Sequence, residues 1–323
     1  MNNNSLKIVF MGTPEFAVAS LEAIHKSRHI IKGVVTVPDK PAGRGKKLKA
    51  SAVKEYAVSN NLPLLQPEKL KNPDFLSALA AFDADVFVVV AFRMLPEQVW
   101  AIPPKGTFNL HASLLPQYRG AAPINHAIIN GETRTGVTTF FIDKEIDTGK
   151  IIMQKEVEIT ATDNAGSLHD KLMTEGASLT VTTLDAIAGG NIEEIPQEKL
   201  ITPDTVLKPA PKIFKDDCRI DWNKNSDEII NFIRGLSPYP VAFTEAVHKN
   251  KKIILKIYGA TALKEKTAVP PGKIITDGEK YLRITTADGI IDIKELQIQG
   301  KKRMPVKDFL NGFREPENLE LIP

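Results

Sequence analysis

An almost unbroken apolar run, Ala84-Asp85-Val86-Phe87-Val88-Val89-Val90-Ala91, restricts the folds open to this chain more than any other stretch. It is far too short to cross a membrane, which takes about 20 residues. A β-branched run that does not alternate with polar residues suits a strand covered on both faces, as in a parallel sheet flanked by helices. Weaker runs of the same kind recur through the first half. Residues 6–11 are apolar up to Gly12-Thr13-Pro14, after which Phe16, Ala19, Leu21 and Ile24 return at roughly helical spacing. Residues 30–37 and 62–66 read as further strands, as do 107–111, 137–142 and 151–159, with helical stretches between them. The sum predicts an α/β fold over residues 1–190: a doubly wound, Rossmann-like sheet whose last helix, 167–188, stops at Gly189-Gly190.

The second half changes character. Pro196, Pro203, Pro209 and Pro211 interrupt a stretch with little periodicity, so 191–211 is expected to be a linker. From 212 to 323 the pattern predicts a helix at 226–235 and then short strands at 241–247, 252–258, 272–276, 282–285 and 290–298. Pro270-Pro271-Gly272, Asp277-Gly278 and Asp288-Gly289 separate the later strands, the punctuation of a small OB-like β-barrel. With 323 residues, 42% of them hydrophobic and 25% charged, the chain has material for two such folded domains and is not a disordered polymer. The one cysteine, Cys218, cannot form an internal disulfide and provides no CxxC metal pattern. The N-terminus shows no basic flank, apolar stretch and cleavage site, so a cytoplasmic protein with no membrane association is expected. Net charge is only +3, but the excess lies beyond residue 210 and the basic residues come in runs, which suits a polyanionic partner.

Two polar clusters stand out for their chemistry. In Phe108-Asn109-Leu110-His111-Ala112-Ser113-Leu114-Leu115-Pro116, Asn109 and His111 lie two apart on a predicted strand and therefore share a face. An amide that donates to a developing oxyanion, beside an imidazole that exchanges protons near neutrality, suits acyl transfer. From spacing alone, a strand-edge amide and a core or turn histidine is the commoner situation. The second cluster, Ile142-Asp143-Lys144-Glu145-Ile146-Asp147-Thr148-Gly149, reads as a turn after a strand. Asp147 could orient His111 and favour its imidazolium form, or could simply close an Asx turn on its own backbone.

Two further segments have a nucleotide-directed look. Met11-Gly12-Thr13-Pro14-Glu15-Phe16 places glycine between a strand and a helix but lacks the GxGxxG spacing that fits a dinucleotide, which disfavours a nucleotide-dependent oxidoreductase. Residues 38–49 hold Lys40, Arg44, Lys46, Lys47 and Lys49 among two prolines and two glycines. This composition predicts a long exposed loop, neither helix nor strand, suited to polyanion contact.

On these residues the chain resembles the formyltetrahydrofolate-dependent formyltransferases. The likeness rests on Asn109-Leu110-His111-Ala112-Ser113-Leu114-Leu115-Pro116, Arg119-Gly120-Ala121-Ala122-Pro123-Ile124 and Asp147-Thr148-Gly149. Pro41-Ala42-Gly43-Arg44-Gly45-Lys46-Lys47-Leu48 narrows it to the members that act on methionyl-tRNA, and the likeness runs to Gly300-Lys301-Lys302. The resemblance implies formyl transfer from 10-formyltetrahydrofolate, as co-substrate and without a metal, to the α-amino group of methionine on initiator tRNA, for translation initiation. By the same resemblance Asn109, His111 and Asp147 are the catalytic residues, and Ser113, Leu114, Leu115 and Pro116 contact the folate. Arg44, Lys46 and Lys47 contact the tRNA, the C-terminal barrel adds tRNA contacts, and no obligate protein partner is implied. Basic runs within 249–256 and 301–303 extend the track along the phosphates or are solvated barrel loops. Two departures stand out: Ala91-Phe92-Arg93-Met94-Leu95-Pro96 is one residue shorter than the family's Ala-Tyr-Gly-x-x-Leu-Pro, and Ala112 stands where glycine is frequent. An amino-sugar-nucleotide formyltransferase would share Asn109, His111 and Asp147 but has no need of the basic loop; a non-enzymatic RNA-binding protein would need the loop but not the trio.

Overall fold

The computed structural model describes residues 5–42, 47–263, 265 and 267–322. Two compact units form: one from residues up to 120 with 134–158 and 169–209, the other from 121–133, 159–168 and the residues from 210 onward. The stretch expected to be a linker belongs, up to Pro209, to the first unit. In chain order the elements of the first half are β1 (Lys7–Gly12), α1 (Glu15–His25), β2 (Ile30–Val35), β3 (Lys40–Ala42), β4 (Lys47–Lys49), α2 (Ala52–Ser59), β5 (Leu64–Leu65), α3 (Pro73–Ala80), β6 (Val86–Val90), α4 (Glu97–Trp100), β7 (Thr107–His111), α5 (Pro123–Ile129), β8 (Arg134–Phe141), β9 (Ile151–Glu158) and α6 (Ala165–Gly189).

In the first unit, seven strands form one sheet in the order β5-β2-β1-β6-β7-β8-β9. The apolar run around Val86–Val90 is β6, buried at every position and paired in parallel with β1 on one side and β7 on the other. Burial on both faces is what its unbroken apolar character required. From β7 onward the pairing turns antiparallel, β7 with β8 and β8 with β9. The sheet is therefore mixed, a feature that apolar runs do not disclose. Helix α1 buries Phe16, Ala17, Ser20, Leu21 and Ile24 as one stripe.

Helix α2 is capped by Ser51, whose Oγ accepts from the Lys54 N–H at 3.1 Å and shares a 2.8 Å hydrogen bond with Thr36 Oγ1. Ser51→Ala is expected to destabilise the protein by about 1 kcal/mol, read as a lower denaturation midpoint at unchanged slope. An unchanged midpoint would mean that neither bond contributes. Residues 38–49 are not loop throughout: β3 and β4 pair antiparallel, with Lys40 opposite Lys49 and Pro41 opposite Leu48. Proline is compatible with this two-stranded ribbon because each strand has a free edge.

The second unit adds α7 (Ser226–Leu236), β10 (Ala242–His248), β11 (Lys251–Leu263), β12 (Ile274–Thr276), β13 (Leu282–Thr285), β14 (Ile290–Ile298), β15 (Met304–Pro305), α8 (Val306–Gly312) and β16 (Glu320–Ile322). Its antiparallel, near-barrel sheet runs β12-β13-β14-β11-β10-β16, with β15 on β14. Each of the five strands read from sequence has a counterpart; β15 and β16 are too short to have shown a period, and β11 runs to Leu263 through register shifts near Gly259. Ile229, Ile233 and Leu236 of α7 join Leu255, Ile257, Ile291 and Phe309 in the core. Within this unit α5 packs against α7, with Asn125 Nδ2 donating to the Gly235 carbonyl at 2.8 Å. Among the described residues no helix is long and apolar enough to cross a membrane.

Candidate active site

Strand β7 fixes the first two side chains. Phe108 and Leu110 are buried on one face of the strand, and alternation puts Asn109 and His111 on the other. His111 is 7% exposed, with Nε2 2.9 Å from the Tyr118 carbonyl oxygen. A carbonyl only accepts, so Nε2 carries a proton and donates it there. That leaves Nδ1 as the exchangeable position, and it lies 3.8 Å from Oδ2 of Asp147. Among the described residues, buried Asn109 Oδ1 has no hydrogen-bond partner, the kind of acceptor that a substrate N–H completes.

Asp147 arrives from the turn between β8 and β9. The turn leaves β8 beside Thr107, with the Ile142 N–H donating to the Thr107 carbonyl at 2.8 Å, and runs back along β7 far enough for Asp147 to reach His111. The Asx-type closure of this turn is made by Asp143, whose Oδ1 accepts from the Glu145 N–H at 3.1 Å and from Thr148 Oγ1 at 2.8 Å. Asp147 Oδ2 instead accepts from the Gly120 N–H at 2.9 Å, across 27 residues of chain. Its backbone has φ +57, a left-handed conformation that aspartate tolerates better than most side chains. Gly149 then passes so close to β8 that a Cβ there would sit 1.7 Å from the Phe141 carbonyl oxygen.

The segment after β7 is tied to the sheet. Thr138 Oγ1 donates to the Ser113 carbonyl at 2.6 Å and accepts from the Leu115 N–H at 3.2 Å, while Gln154 Nε2 donates to the Leu115 carbonyl at 2.8 Å. The Ser113 hydroxyl donates to the Gln117 carbonyl at 2.6 Å, and the Leu115–Pro116 peptide is cis. Leu115 packs in the core with Phe140 and Ile151, and Leu114 is the partly exposed member of the pair. Ala112 is not among the residues with positive φ, so glycine is not required there.

A hollow of about 520 Å³ is lined by apolar Leu70, Met94 and Trp100 together with Lys71, Arg93, Glu97 and Lys144; Lys144, from the same turn as Asp147, lies 4.0 Å from the Glu97 carboxylate. In the shortened 91–96 segment, Ala91 takes φ +46 and Arg93 folds back so that its guanidinium donates to the carbonyls of Pro67 and Glu68. Burial pushes the Arg93 pKa below the ordinary arginine value.

Of the basic positions singled out, Arg44 and Lys46 lie outside the described residues, and Lys47 opens β4. The base of the ribbon is anchored by Asp39, which accepts from Lys54 Nζ at 2.7 Å and from Gln66 Nε2 at 3.0 Å. These bonds, Lys54 first, hold the Asp39 carboxyl below its usual pKa, while Lys40 and Lys49 are exposed. In the second unit Lys249, Lys252 and Arg303 are engaged by Glu315, Glu245 and Glu295, whereas Lys251, Lys301 and Lys302 are exposed. Among the described residues no cluster of His, Cys, Asp or Glu could hold a metal ion. Tyr118 and Gly120 contribute backbone groups, which a reading of side chains cannot find. The only signal was their place in or beside the Arg119-Gly120-Ala121-Ala122-Pro123-Ile124 string.

A sheet that delivers an amide, an imidazole and a carboxylate to one place is matched by what the chain is similar to. Residues 6–184 match the family described as formyl transferase, and residues 212–314 match the formyl transferase C-terminal domain. The chain belongs to the formyl transferase family. It is 51% identical over 322 residues, 99% of each chain, to the methionyl-tRNA formyltransferase of Bacteroides fragilis. To the methionyl-tRNA formyltransferase of Parabacteroides distasonis it is 54% identical over 317 residues, 98% of each. Its fold is similar to that of the N-formyltransferase from Helicobacter canadensis solved with folinic acid and dTDP-3-aminofucose. That likeness has a TM-score of 0.62 at 23% identity and covers 93% of this chain and 100% of that one.

Proposed function

We propose that this chain is a cytoplasmic methionyl-tRNA formyltransferase. It moves the formyl group of 10-formyltetrahydrofolate to the α-amino group of methionine on initiator tRNA, a step in starting translation. Identities of 51–54% over nearly the whole chain support the acceptor. The observation that carries the site is the 3.8 Å approach of Asp147 to His111 Nδ1, with Asn109 on the same strand face.

In this mechanism the amine lone pair attacks the formyl carbon and the carbonyl oxygen becomes negative. Asn109 Nδ2 and protonated His111 donate to that oxygen, and Asn109 Oδ1 accepts an N–H of the nucleophile. Asp147 holds the imidazole in place. The intermediate collapses with cleavage of the bond to the folate N10, which takes up the proton released by the amine, and tetrahydrofolate departs. No covalent enzyme intermediate is needed, because the acceptor is itself a nucleophilic amine. The segment Ser113 to Pro116 and the hollow beside Lys144 receive the folate, whose ring suits the apolar walls and whose anionic tail suits Lys71 and Arg93, Lys144 being shared with Glu97. Arg44, Lys46 and Lys47, with exposed Lys40 and Lys49, meet the acceptor end of the tRNA, and the domain from 212 to 323 adds backbone contacts. On this reading 1–190 carries the catalytic residues, and 191–211, part of the first unit up to Pro209, leads on to the domain from 212 to 323.

The test is transfer of labelled formyl from the folate to Met-tRNA, with a UDP-amino sugar as parallel acceptor; formylation of the sugar alone would overturn the assignment. Arg44→Ala is expected to raise KM for Met-tRNA about tenfold, the loss of one or two phosphate contacts, and to leave folate binding unchanged. Equal loss of both would place Arg44 away from the tRNA.

A further inference from the structure

A residue outside the expected trio holds the backbone of the turn that carries the carboxylate. Gln197 lies in the segment read from sequence as linker, yet it is completely buried. Its position follows from an added pairing on the sheet: Ile195 and Ile151 exchange two backbone hydrogen bonds of 2.9 Å, which brings the chain alongside the start of β9. Two residues on, Gln197 Nε2 donates to the carbonyls of Asp147 at 2.9 Å and Gly149 at 2.8 Å. Its Oε1 accepts from Arg119 Nε at 3.1 Å and Arg119 Nη2 at 2.6 Å. The orientation of the amide is fixed by chemistry, since carbonyls only accept and a guanidinium only donates. Both N–H groups and the oxygen are therefore in use.

Gln197, Arg119 and Asp147, with Gly120, close a ring around one turn. Arg119 precedes Gly120, whose N–H holds the Asp147 carboxylate, and Gln197 holds the backbone of that same aspartate. A left-handed aspartate is a backbone state that its surroundings must impose. Gln197 supplies that constraint from one side, and Gly120 fixes the carboxylate from the other.

We infer that Gln197 is a positioning residue for Asp147, setting the carboxylate against His111 for formyl transfer. This rests on the catalytic reading of Asp147 given above. Gln197→Met keeps length and apolar volume but removes all four hydrogen bonds. Gln197→Glu keeps an oxygen for Arg119 but turns a second oxygen toward two carbonyls. Each is expected to lower kcat by about 10–100-fold, the range that follows an ångström-scale misplacement. KM for the folate donor and for Met-tRNA should stay within about twofold, because Gln197 touches neither in this reading.

The deciding measurement is the same substitution in an Asp147→Asn background. A residue acting through Asp147 has little left to remove there, so Gln197→Met should cost less than about twofold in the double variant. A full additional 10–100-fold loss in that background would overturn the inference, as would unchanged kcat in either folded single variant. Should Gln197→Met fail to fold, the Gln197→Glu cycle answers the same question. Unimpaired turnover of Asp147→Asn alone would instead sink the catalytic reading, and the inference with it, a result distinct from additivity.

Discussion

His111→Ala is expected to slow formyl transfer by about 10²–10³-fold, with Met-tRNA affinity within about twofold of the parent, and Asn109→Ala by a similar factor. The argument is geometric. His111 stands on a strand paired on both sides, its ring is buried and held by Nε2 to the Tyr118 carbonyl, and no other titratable side chain lies on β7 to take its place. Removing the ring also leaves the Tyr118 carbonyl without the donor it has at 2.9 Å, a loss of about 1–3 kcal/mol if the group stays buried. A thermal midpoint must therefore accompany the rate, and single-turnover transfer of labelled formyl at saturating enzyme should be measured well below it. Turnover within tenfold of the parent in a folded variant would remove His111 from the chemistry.

The second large effect concerns a residue with no functional group. Gly149→Ala would put a methyl 1.7 Å from the Phe141 carbonyl oxygen and 2.9 Å from its carbon, both backbone atoms that cannot rotate away. Either the end of β8 or the Asp147 turn has to move. We expect a destabilisation of about 3 kcal/mol or more, at the upper end for overpacking, and a loss of turnover at least as large as that of Asp147→Asn. Denaturant unfolding together with the formyl-transfer assay checks both. A stable variant of normal activity would mean that the turn is not held in the conformation described.

Much of this site was legible because β-sheet geometry is periodic. The run at β6 announced a strand covered on both faces, and the two-residue spacing of Asn109 and His111 announced a shared face. What lay hidden was set by backbone groups and by chain segments with no period. The Tyr118 carbonyl and the Gly120 N–H select the histidine tautomer and the carboxylate position, yet neither depends on a side chain. Prolines at 196, 203, 209 and 211 suggested a linker, but proline forbids only regular hydrogen bonding at its own nitrogen. It does not prevent Ile195 from pairing with Ile151 or Gln197 from entering the core. The antiparallel turn of the sheet after β7 was equally invisible, because β8 is buried on both faces just as a parallel strand would be and strand direction leaves no periodic mark. The Asp147 cluster offered a local Asx turn as the simpler explanation, and the structure assigns that task to Asp143 four residues earlier.

The bond from Nε2 to the Tyr118 carbonyl has one more consequence. With that nitrogen committed, the ring has a single port through which a hydrogen ion can enter or leave. On the mechanism proposed above, the imidazolium offers its Nδ1–H alone to the developing oxyanion, and Asp147 stands beside that same nitrogen. A relay that passes charge in on one side of the imidazole and out on the other is closed to this enzyme.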